Sequence, residues 1–358
     1  MSQSPHIGIG SAAELGIPDH ALTAFYQQHW MRAIALEDST FFKWQFNDAP
    51  YSQGRNHCCV ATVNGEIAGV MGVTPWPFRL KDAKLNGGML TTWVVGPNAR
   101  GLGIGNAMIG WLQQTYDVLA GSGITGDALP IYIKHGFRYL RTIPRYVFIT
   151  DWQGVKTFSS ISERYERILA SRKDAPAVLT VAAGTQTAGT KANGFAKDDN
   201  FLNWRYQQHP YYTYDIHHIA HNEHQFTIVT REQDVAGQRI MHILDILSEA
   251  EDIRPALAFC EEHAVRRKAC FIDYMQLHST HQAALLARGW LSMVDDEFAH
   301  VMHLFSPPEM RSPPTTSLIL WAKTDDIALQ LFDYRTLNLS KSDLDLDRPT
   351  MDFITNFA

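Results

Sequence analysis

The sequence has no excess of positive charge. Its 358 residues include 31 Lys and Arg against 37 Asp and Glu, which gives a formal net charge of −6 at pH 7. Proteins that bind nucleic acids usually carry a clustered basic excess. The composition therefore argues against nucleic-acid binding and favours small-molecule partners.

Cysteines and long apolar segments are also scarce. The four cysteines, Cys58, Cys59, Cys260 and Cys270, show no CxxC spacing, and two adjacent cysteines cannot easily form a disulfide with one another. No apolar run approaches the roughly 20 residues that span a bilayer, and the first residues, MSQSPHIGIG, lack the basic and apolar regions of a signal peptide. These absences predict reduced cysteines and a cytoplasmic protein that does not insert into membranes.

A repeated pattern of aromatic residues divides the chain into two copies. The segment STFFKWQFNDAPYS (residues 39–52) resembles DNFLNWRYQQHPYY (residues 199–212), and Trp44 and Trp204 occupy equivalent positions 160 residues apart. In both halves this segment precedes strand-like alternation and, later, a helix that ends at Gly before an aromatic residue. The pattern predicts an internal duplication with a boundary near Thr150, each copy forming an α/β sandwich.

The first copy contains a glycine-rich loop between a strand and a helix. The segment MLTTWVV (residues 89–95) is β-branched and apolar, and after Arg100 the glycines Gly101, Gly103 and Gly105 precede a helical pattern. Unpaired N–H groups and the helix dipole at such a helix start favour a phosphate. The spacing matches neither the dinucleotide fingerprint nor the P-loop. The alternative is that the glycines only form a tight turn.

The arrangement Arg100-Gly-Leu-Gly-Ile-Gly105 resembles the pyrophosphate-binding motif of the GNAT superfamily of N-acetyltransferases, as does the later segment GDALPIYIKHGF (residues 126–137). The resemblance implies an α/β fold of two tandem GNAT-like mixed-sheet sandwich domains. Residues 1–150 would form the acyl-CoA-binding domain, and residues 151–358 a degenerate domain that walls the acceptor site. Acyl-coenzyme A would be the co-substrate, with its thioester near Tyr132. The pyrophosphate would bind Arg100 and the N–H groups of the loop, and pantetheine would pair with the backbone of the preceding strand. The residues of the strand are Trp93, Val94 and Val95, and those of the loop are Gly101, Leu102, Gly103, Ile104, Gly105 and Asn106.

The second copy departs from this motif. Its segment RIMHILDILSEAEDIRPALAF (residues 239–259) has no glycine-rich loop, and Leu285 stands where the first copy has Tyr132. This copy is therefore not expected to bind acyl-CoA. The FxxWRYxxHP stretch resembles that of bacterial nucleotide-sugar N-acyltransferases, which implies an amino sugar linked to a nucleotide as the acceptor, for surface polysaccharide biosynthesis. Mycothiol synthase-like enzymes that acetylate another small amine, and a non-catalytic acyl-CoA-binding module, are the alternatives.

Acyl transfer to an amine requires a proton donor for the departing thiolate. Tyr132 is protonated at pH 7 and is the predicted general acid, with a buried packing role as the alternative. Asp127 and His135 are the nearest candidates for a base. Asp127 is more simply interpreted as the N-cap of a helix beginning at Ala128, and His135 as the cation at that helix's C-terminus.

Three residues are candidates for the acceptor site. Trp44 belongs to the repeated aromatic segment, whereas Arg205 and His209 replace Gln45 and Ala49 of the first copy, so charge has been added in one copy only. An arginine suits a diphosphate, and a surface salt bridge is the alternative. The histidines His217, His218, His221 and His224 invite a metal interpretation. His217 and His221 are too far apart along a strand to share an ion, so no metal is predicted.

Overall fold

A computed structural model describes residues 5–170, 179–184, 187–293, 299–301, 304–305, 308–309, 315–343 and 346–357. The helices are α1 (Asp19–His29), α2 (Ser39–Phe46), α3 (Ile104–Thr115), α4 (Leu129–Lys134), α5 (Trp152–Lys156), α6 (Glu163–Ala170), α7 (Asp199–Leu202), α8 (Arg254–Arg266), α9 (Ser279–Ala287), α10 (Asp325–Leu331) and α11 (Met351–Phe357). Short 3₁₀ turns cover Ala35–Glu37 and Pro97–Ala99, and a π-helical turn covers Asn203–Gln207.

The strands belong mainly to two mixed sheets of eight strands each. They are β1 (Ile7–Ser11), β2 (Cys59–Val63), β3 (Glu66–Leu80), β4 (Ala83–Val95), β5 (Val118–Ser122), β6 (Arg138–Leu140), β7 (Arg145–Ile149), β8 (Ser160–Ile161), β9 (Ala182–Ala183), β10 (Gly194–Phe195), β11 (Asp215–His221), β12 (His224–Val235), β13 (Gln238–Leu247), β14 (Ala269–Leu277), β15 (Leu291–Ser292), β16 (Ala299–His300), β17 (Leu304–Phe305), β18 (Pro308–Glu309), β19 (Leu318–Ala322) and β20 (Leu339–Ser340).

The two sheets have the same order of strands. The first runs β1-β2-β3-β4-β5-β19-β6, with β10 added to β3, and the second runs β9-β11-β12-β13-β14-β7-β15, with β20 added to β14. Each sheet is antiparallel except for one parallel pair, β4 with β5 in the first and β13 with β14 in the second. This correspondence confirms the predicted α/β architecture of two tandem GNAT-like sandwiches.

The first copy contributes one described strand, β7, to the second sheet, and the second copy contributes two, β19 and β10, to the first. Strand β7 precedes the predicted boundary at residue 150, yet it lies between β14 and β15 in the second sheet. Strand β19 follows the boundary and lies between β5 and β6 in the first. Both occupy interior positions, where each strand satisfies backbone groups on two neighbours. The sheets thus do not divide the chain into the contiguous segments 1–150 and 151–358.

The repeated tryptophans lie against each other where the copies meet. The indole N–H of Trp44 donates to the carbonyl oxygen of Trp204 at 3.1 Å, and the indole N–H of Trp204 donates to the carbonyl of Trp44 at 2.8 Å. Their rings stack with centroids 4.9 Å apart. Because equivalent atoms make equivalent bonds in both directions, the two copies are related by a local pseudo-twofold axis, in agreement with the inferred duplication.

The C-terminal segment, whose role was not evident from sequence, joins the two copies. Its Asp343 pairs with Lys197 at 2.7 Å, and its Asp347 pairs with Arg231 at 2.6 Å, both in the second copy. Arg348 donates to the hydroxyl of Thr91 on β4 of the first copy at 2.6 Å. These side chains are largely buried, so the acidic segment is part of the interior.

Replacing Asp347 with Asn should lower the free energy of unfolding by about 3 kcal/mol, because the substitution leaves the buried Arg231 without its counter-charge. Burial alone would raise the pKa of Asp347, but Arg231, Lys341 and Arg205 hold this pKa well below its ordinary value. A depressed carboxyl pKa stabilises the fold above the unfolded-state pKa of about 4, and this contribution is lost as the pH falls.

Urea unfolding of wild type and Asp347→Asn across pH 3 to 8 measures this effect. The stability difference should be largest near neutral pH and should narrow in acid. Asp333→Asn is the control, since Asp333 pairs with the exposed Arg335 at 2.8 Å. Equal stability of Asp347→Asn and wild type at pH 7 would contradict the assigned role of the buried pair.

Candidate active site

The glycine-rich loop owes two of its glycines to backbone conformation. Gly101 and Gly103 have φ angles of +86° and +76°, in the left-handed region that side chains with a Cβ disfavour. No heavy atom lies within 4 Å of a Cβ built at either position. The space beside these residues is therefore open, and the loop follows a path that glycine adopts at little cost.

The loop presents unpaired N–H groups at the start of a helix. Gly103 is the N-cap of α3 and provides no side-chain cap, so the N–H groups of Ile104, Gly105 and Asn106 have no partner within the helix. The Leu102 N–H already donates to the carbonyl of Ala99 at 3.3 Å. Arg100 is exposed beside the loop. The site thus combines helix-start donors with a cation, an arrangement suited to a phosphate group.

Gly105 is needed for packing rather than for a special φ angle. A Cβ at this position would lie 2.9 Å from the ring of Trp93 on β4. The Trp93 ring in turn meets the ring of Tyr132 on α4, edge to face, with centroids 5.4 Å apart. The first turn of α3, strand β4 and helix α4 are therefore held together by one contiguous set of side chains.

Strand β4 separates from β5 beside this loop. The two strands pair only from Gly87 to Leu90 on the β4 side. Immediately afterwards the register with β3 shifts at Thr92, which bulges from the β3–β4 ladder. Residues Trp93 to Val95 still pair with β3, but no described strand pairs with their other edge. An edge of this kind can accept an extended ligand through backbone hydrogen bonds.

Tyr132 lies under the loop with 4% of its surface exposed. Its ring packs between Trp93 and Phe137, with the Phe137 centroid 5.0 Å away. Burial raises the pKa of Tyr132 above its ordinary value, so the hydroxyl stays protonated at neutral pH. Both the predicted general acid and its packing alternative are compatible with this position.

The predicted helix cap at Asp127 is wrong. Helix α4 begins at Leu129, its N-cap is Ala128, and no side chain caps it. The Ala128 N–H instead lies 3.4 Å from the hydroxyl oxygen of Thr125. Asp127 is exposed, so as a candidate base it faces solvent.

His135, at the end of α4, ties this helix to α3. Its ring nitrogens lie 3.1 Å from the amide oxygen of Asn106 and 3.3 Å from that of Gln113. Burial and the adjacent Lys134 lower the pKa of His135. The side-chain oxygen of Asn106 is therefore engaged with His135, and its backbone N–H remains for a ligand of the loop.

A small cavity lies where the copies meet. Its volume is about 50 Å³. It is lined by Phe41, Trp44, Gln45, Thr74, Trp76, Met89, Thr91, Trp204, Arg205, Ser342, Asp343, Asp347 and Arg348. Two of the three predicted acceptor-site residues, Trp44 and Arg205, are in this lining. Gln45 and the C-terminal residues were missed, since no local pattern in the sequence brings them together.

His209, the third predicted acceptor-site residue, packs against Trp44 of the cavity lining, with ring centroids 4.4 Å apart. It is not among the residues that line the cavity. Its Nδ1 accepts the backbone N–H groups of Tyr211 and Tyr212 at 3.1 and 2.9 Å, and its ring stacks on Tyr212. Burial lowers the pKa of His209 to about 2, so the ring is neutral. His209 anchors the turn after the π-helical segment.

Arg205 is buried rather than at the surface, with 6% exposed. Its Nη1 lies 3.4 Å from the hydroxyl of Tyr214, and its guanidinium lies 5.5 Å from the ring centroid of Trp44. Among the described residues, no carboxylate lies within ion-pair distance of it. The surface salt bridge considered from sequence is therefore not formed with these residues. The cavity beside it has room for a few heavy atoms, less than a nucleoside diphosphate needs.

The second copy has a carboxylate of its own where the first copy has the glycine-rich loop. Ahead of α8, the carboxylate of Asp252 accepts the backbone N–H of Arg254 at 3.0 Å and its guanidinium at 2.7 Å. The hydrogen bond from the guanidinium of Arg254 lowers the pKa of Asp252. In α9 the buried Leu285 replaces the tyrosine. A phosphate would meet a negative charge at this helix start.

Coenzyme A should therefore bind once per chain, at the Arg100–Asn106 loop. Isothermal titration calorimetry should give a stoichiometry of one. Arg100→Ala should weaken binding, whereas Arg254→Ala, at the equivalent helix start of the second copy, should leave the affinity unchanged. Two equivalent sites, or a loss of affinity in Arg254→Ala alone, would contradict this asymmetry.

One group of possible metal ligands was missed in the sequence. Asp215 and His217 on β11 and His263 on α8 place ligand atoms within 4.8 Å of one another. His221, considered with His217 from the sequence, instead bonds the carbonyl of Thr180 at 2.9 Å. The missed residue, His263, lies 46 positions after His217 on another element.

None of the described helices is both long enough and apolar enough to span a bilayer.

Comparisons with known proteins give a family match over part of the chain and a similar fold. Residues 19–121 match the profile of the acetyltransferase (GNAT) family, and this range contains the loop and β4. No curated protein matches the sequence closely enough to be a relative. The fold is similar to that of a GCN5-related N-acetyltransferase from Anabaena variabilis ATCC 29413, with a TM-score of 0.54 and 13% identity over 90% of this chain and 74% of that one. A GCN5-related N-acetyltransferase from Kribbella flavida aligns with a TM-score of 0.47 and 12% identity over 89% and 71%.

Proposed function

We propose that the protein is an acyl-CoA-dependent N-acyltransferase that transfers an acyl group directly to the amine of a small acceptor. The observation that carries this proposal is the meeting of three features in the first copy. Unpaired N–H groups lie at the start of α3, an open edge follows the bulge of β4, and a protonated tyrosine packs against Trp93 on that edge. The family match covers the start of α3 and the edge of β4 and supports the proposal, although it ends before Tyr132.

In this reaction the neutral amine attacks the thioester carbonyl, and the carbon–sulfur bond breaks. Coenzyme A leaves as a thiolate, which takes a proton from the hydroxyl of Tyr132, and the proton that the acylated nitrogen releases to water restores this hydroxyl. The N–H groups at the start of α3 and the exposed Arg100 hold the pyrophosphate. An amine with a pKa of about 8 is roughly one-tenth neutral at pH 7, so a strong base is not required. Asp127, a candidate base, is exposed to solvent. Its position is therefore compatible with loss of the amine proton to water.

The acceptor has two candidates. The resemblance to nucleotide-sugar N-acyltransferases favours an amino sugar linked to a nucleotide, with Arg205 on the diphosphate. The small volume beside Arg205 favours the other candidate, an amine whose reacting end is compact. In the first case the nucleoside would have to lie outside the cavity with only its diphosphate at Arg205, and Arg205→Ala would raise the KM for the nucleotide sugar.

Thiol release from acetyl-CoA, measured with a panel of amines, tests the proposal. The panel should include free amino sugars, their uridine and thymidine diphosphate derivatives, and amino acids. We expect amine-dependent release of one thiol per acylated amine. Binding of coenzyme A without release for any amine would favour a non-catalytic acyl-CoA-binding module. A strong preference for diphosphate derivatives would favour the nucleotide-linked acceptor.

A further inference from the structure

The cavity between the copies is bordered by polar groups that lack partners. Buried polar atoms are nearly always hydrogen-bonded, because leaving one unpaired costs free energy. Two acceptor atoms of the cavity lining, Oε1 of Gln45 and Oδ1 of Asp343, are buried and have no hydrogen-bond partner among the described residues. Arg205 borders the same cavity with one long hydrogen bond. Unused acceptors and unused donors therefore face one small volume.

The acceptor side of the cavity carries an excess of negative charge. Asp343 is 1% exposed, and its Oδ2 accepts from Lys197 at 2.7 Å and from the N–H of Ser340 at 2.7 Å. The same ammonium of Lys197 also pairs with Asp245, which is equally buried. Two carboxylates thus share one lysine. Burial and the neighbouring Asp245 raise the pKa of Asp343, and an ammonium group at its unpaired oxygen would favour the charged form of this carboxylate.

The donor side carries the opposite excess. Asp347 accepts from the guanidinium of Arg231 at 2.6 Å and from the hydroxyl of Tyr214 at 2.7 Å. Arg205 lies beside this group and has no carboxylate of its own among the described residues. Two guanidinium groups thus share one carboxylate. Arg205 therefore keeps a positive charge at the cavity, and Arg348 is a second cation of the lining.

We infer that the cavity binds a compact zwitterion, an acceptor that carries both a primary amine and a carboxylate as an α-amino acid does. Its ammonium group lies toward Asp343 and Gln45, and its carboxylate lies on the guanidinium of Arg205. A ligand with only one charge would satisfy one side and leave the other unpaired. The role of this ligand as the acyl acceptor rests on the proposed function. The binding of a zwitterion rests only on the charges of the cavity lining.

Binding of three small probes tests this inference without any reaction. Glycine, ethylammonium and acetate are titrated into the wild-type protein saturated with coenzyme A, and binding is followed by saturation-transfer NMR. Glycine should bind at least tenfold more tightly than either single-charge probe. Ethylammonium or acetate binding as tightly as glycine would overturn the inference, and so would the absence of glycine binding.

Variants then assign the two ends. Arg205→Met keeps the length of the side chain without its charge, and it should weaken glycine binding at least tenfold, with partial recovery in Arg205→Lys. Gln45→Met should weaken glycine binding several-fold. Gln225→Met is the matched control, because Oε1 of Gln225 is also buried without a partner but lies at the start of β12, outside the cavity lining. Melting temperatures show whether each variant is folded.

The two proposals fail in different ways. If no amine stimulates thiol release but glycine binds as expected, the proposed function is wrong and the zwitterion site stands. The opposite outcome is that some amines are acylated while the affinity for glycine is the same in wild type, Arg205→Lys and Gln45→Met. In that case the proposed transferase stands and the zwitterion site is wrong. The second comparison holds even if Arg205→Met does not fold.

Discussion

Tyr132→Phe is expected to lower kcat by roughly 100-fold or more, with little change in the affinity for coenzyme A. The substitution keeps the ring that packs between Trp93 and Phe137 and removes only the hydroxyl. Loss of a positioned general acid costs roughly 10²- to 10⁴-fold in rate. Steady-state kinetics with acetyl-CoA and the best amine of the panel measure the effect, and calorimetry measures the affinity for coenzyme A.

Tyr116→Phe is the matched control for this experiment. Tyr116 follows α3 in the same copy and is 2% exposed, and burial raises its pKa as it does that of Tyr132. Its loss of a hydroxyl should leave kcat unchanged. Because burial raises the pKa of Tyr132, activity of the wild type should not fall between pH 7 and 9 through ionisation of this residue. A lower melting temperature with unchanged kcat in Tyr132→Phe would favour the packing role.

The duplication and the loop could be predicted because each leaves a local trace. The aromatic segments around Trp44 and Trp204 recur at a fixed offset, and these tryptophans form reciprocal bonds. The glycine spacing after Arg100 marks a strand-to-helix turn, although the reason for Gly105, close packing on Trp93, needed the structure. Residues that recur or follow one another closely carry such information in the sequence itself.

The exchange of strands could not be predicted in this way. Strand β19 is a short apolar run and β7 has a single charged residue, Arg145, and such short segments do not specify which of two similar sheets they join. The choice depends on pairing between residues far apart in sequence, for example Leu318 with Ser122. Strand propensity describes a residue's fit to a sheet, and it does not identify the partner.

The lining of the cavity between the copies was only partly predictable for the same reason. Asp343 and Asp347 belong to a run that alternates acidic and apolar residues, and their partners Lys197 and Arg231 precede them by more than 100 residues. His209 is a different case. The bonds from its Nδ1 to the N–H groups two and three residues later are local, and they resemble the side-chain turns of Asn and Asp. The HPYY segment therefore allowed a turn interpretation.

Gly103→Ala is expected to weaken coenzyme A binding at least tenfold, because Ala disfavours the φ of +76° by about 1 to 2 kcal/mol. Relaxing that angle moves the N-cap of α3 and redirects the N–H groups that would bond a charged phosphate, each worth about 1.5 to 3 kcal/mol. Gly110→Ala is the control, since Gly110 lies within α3 in open space. It should gain about 1 kcal/mol of stability from helix propensity with the Kd for coenzyme A unchanged. Calorimetry and thermal melts of both variants provide the comparison. A wild-type Kd in Gly103→Ala would mean that the three glycines only form a turn, and the phosphate would have to bind elsewhere.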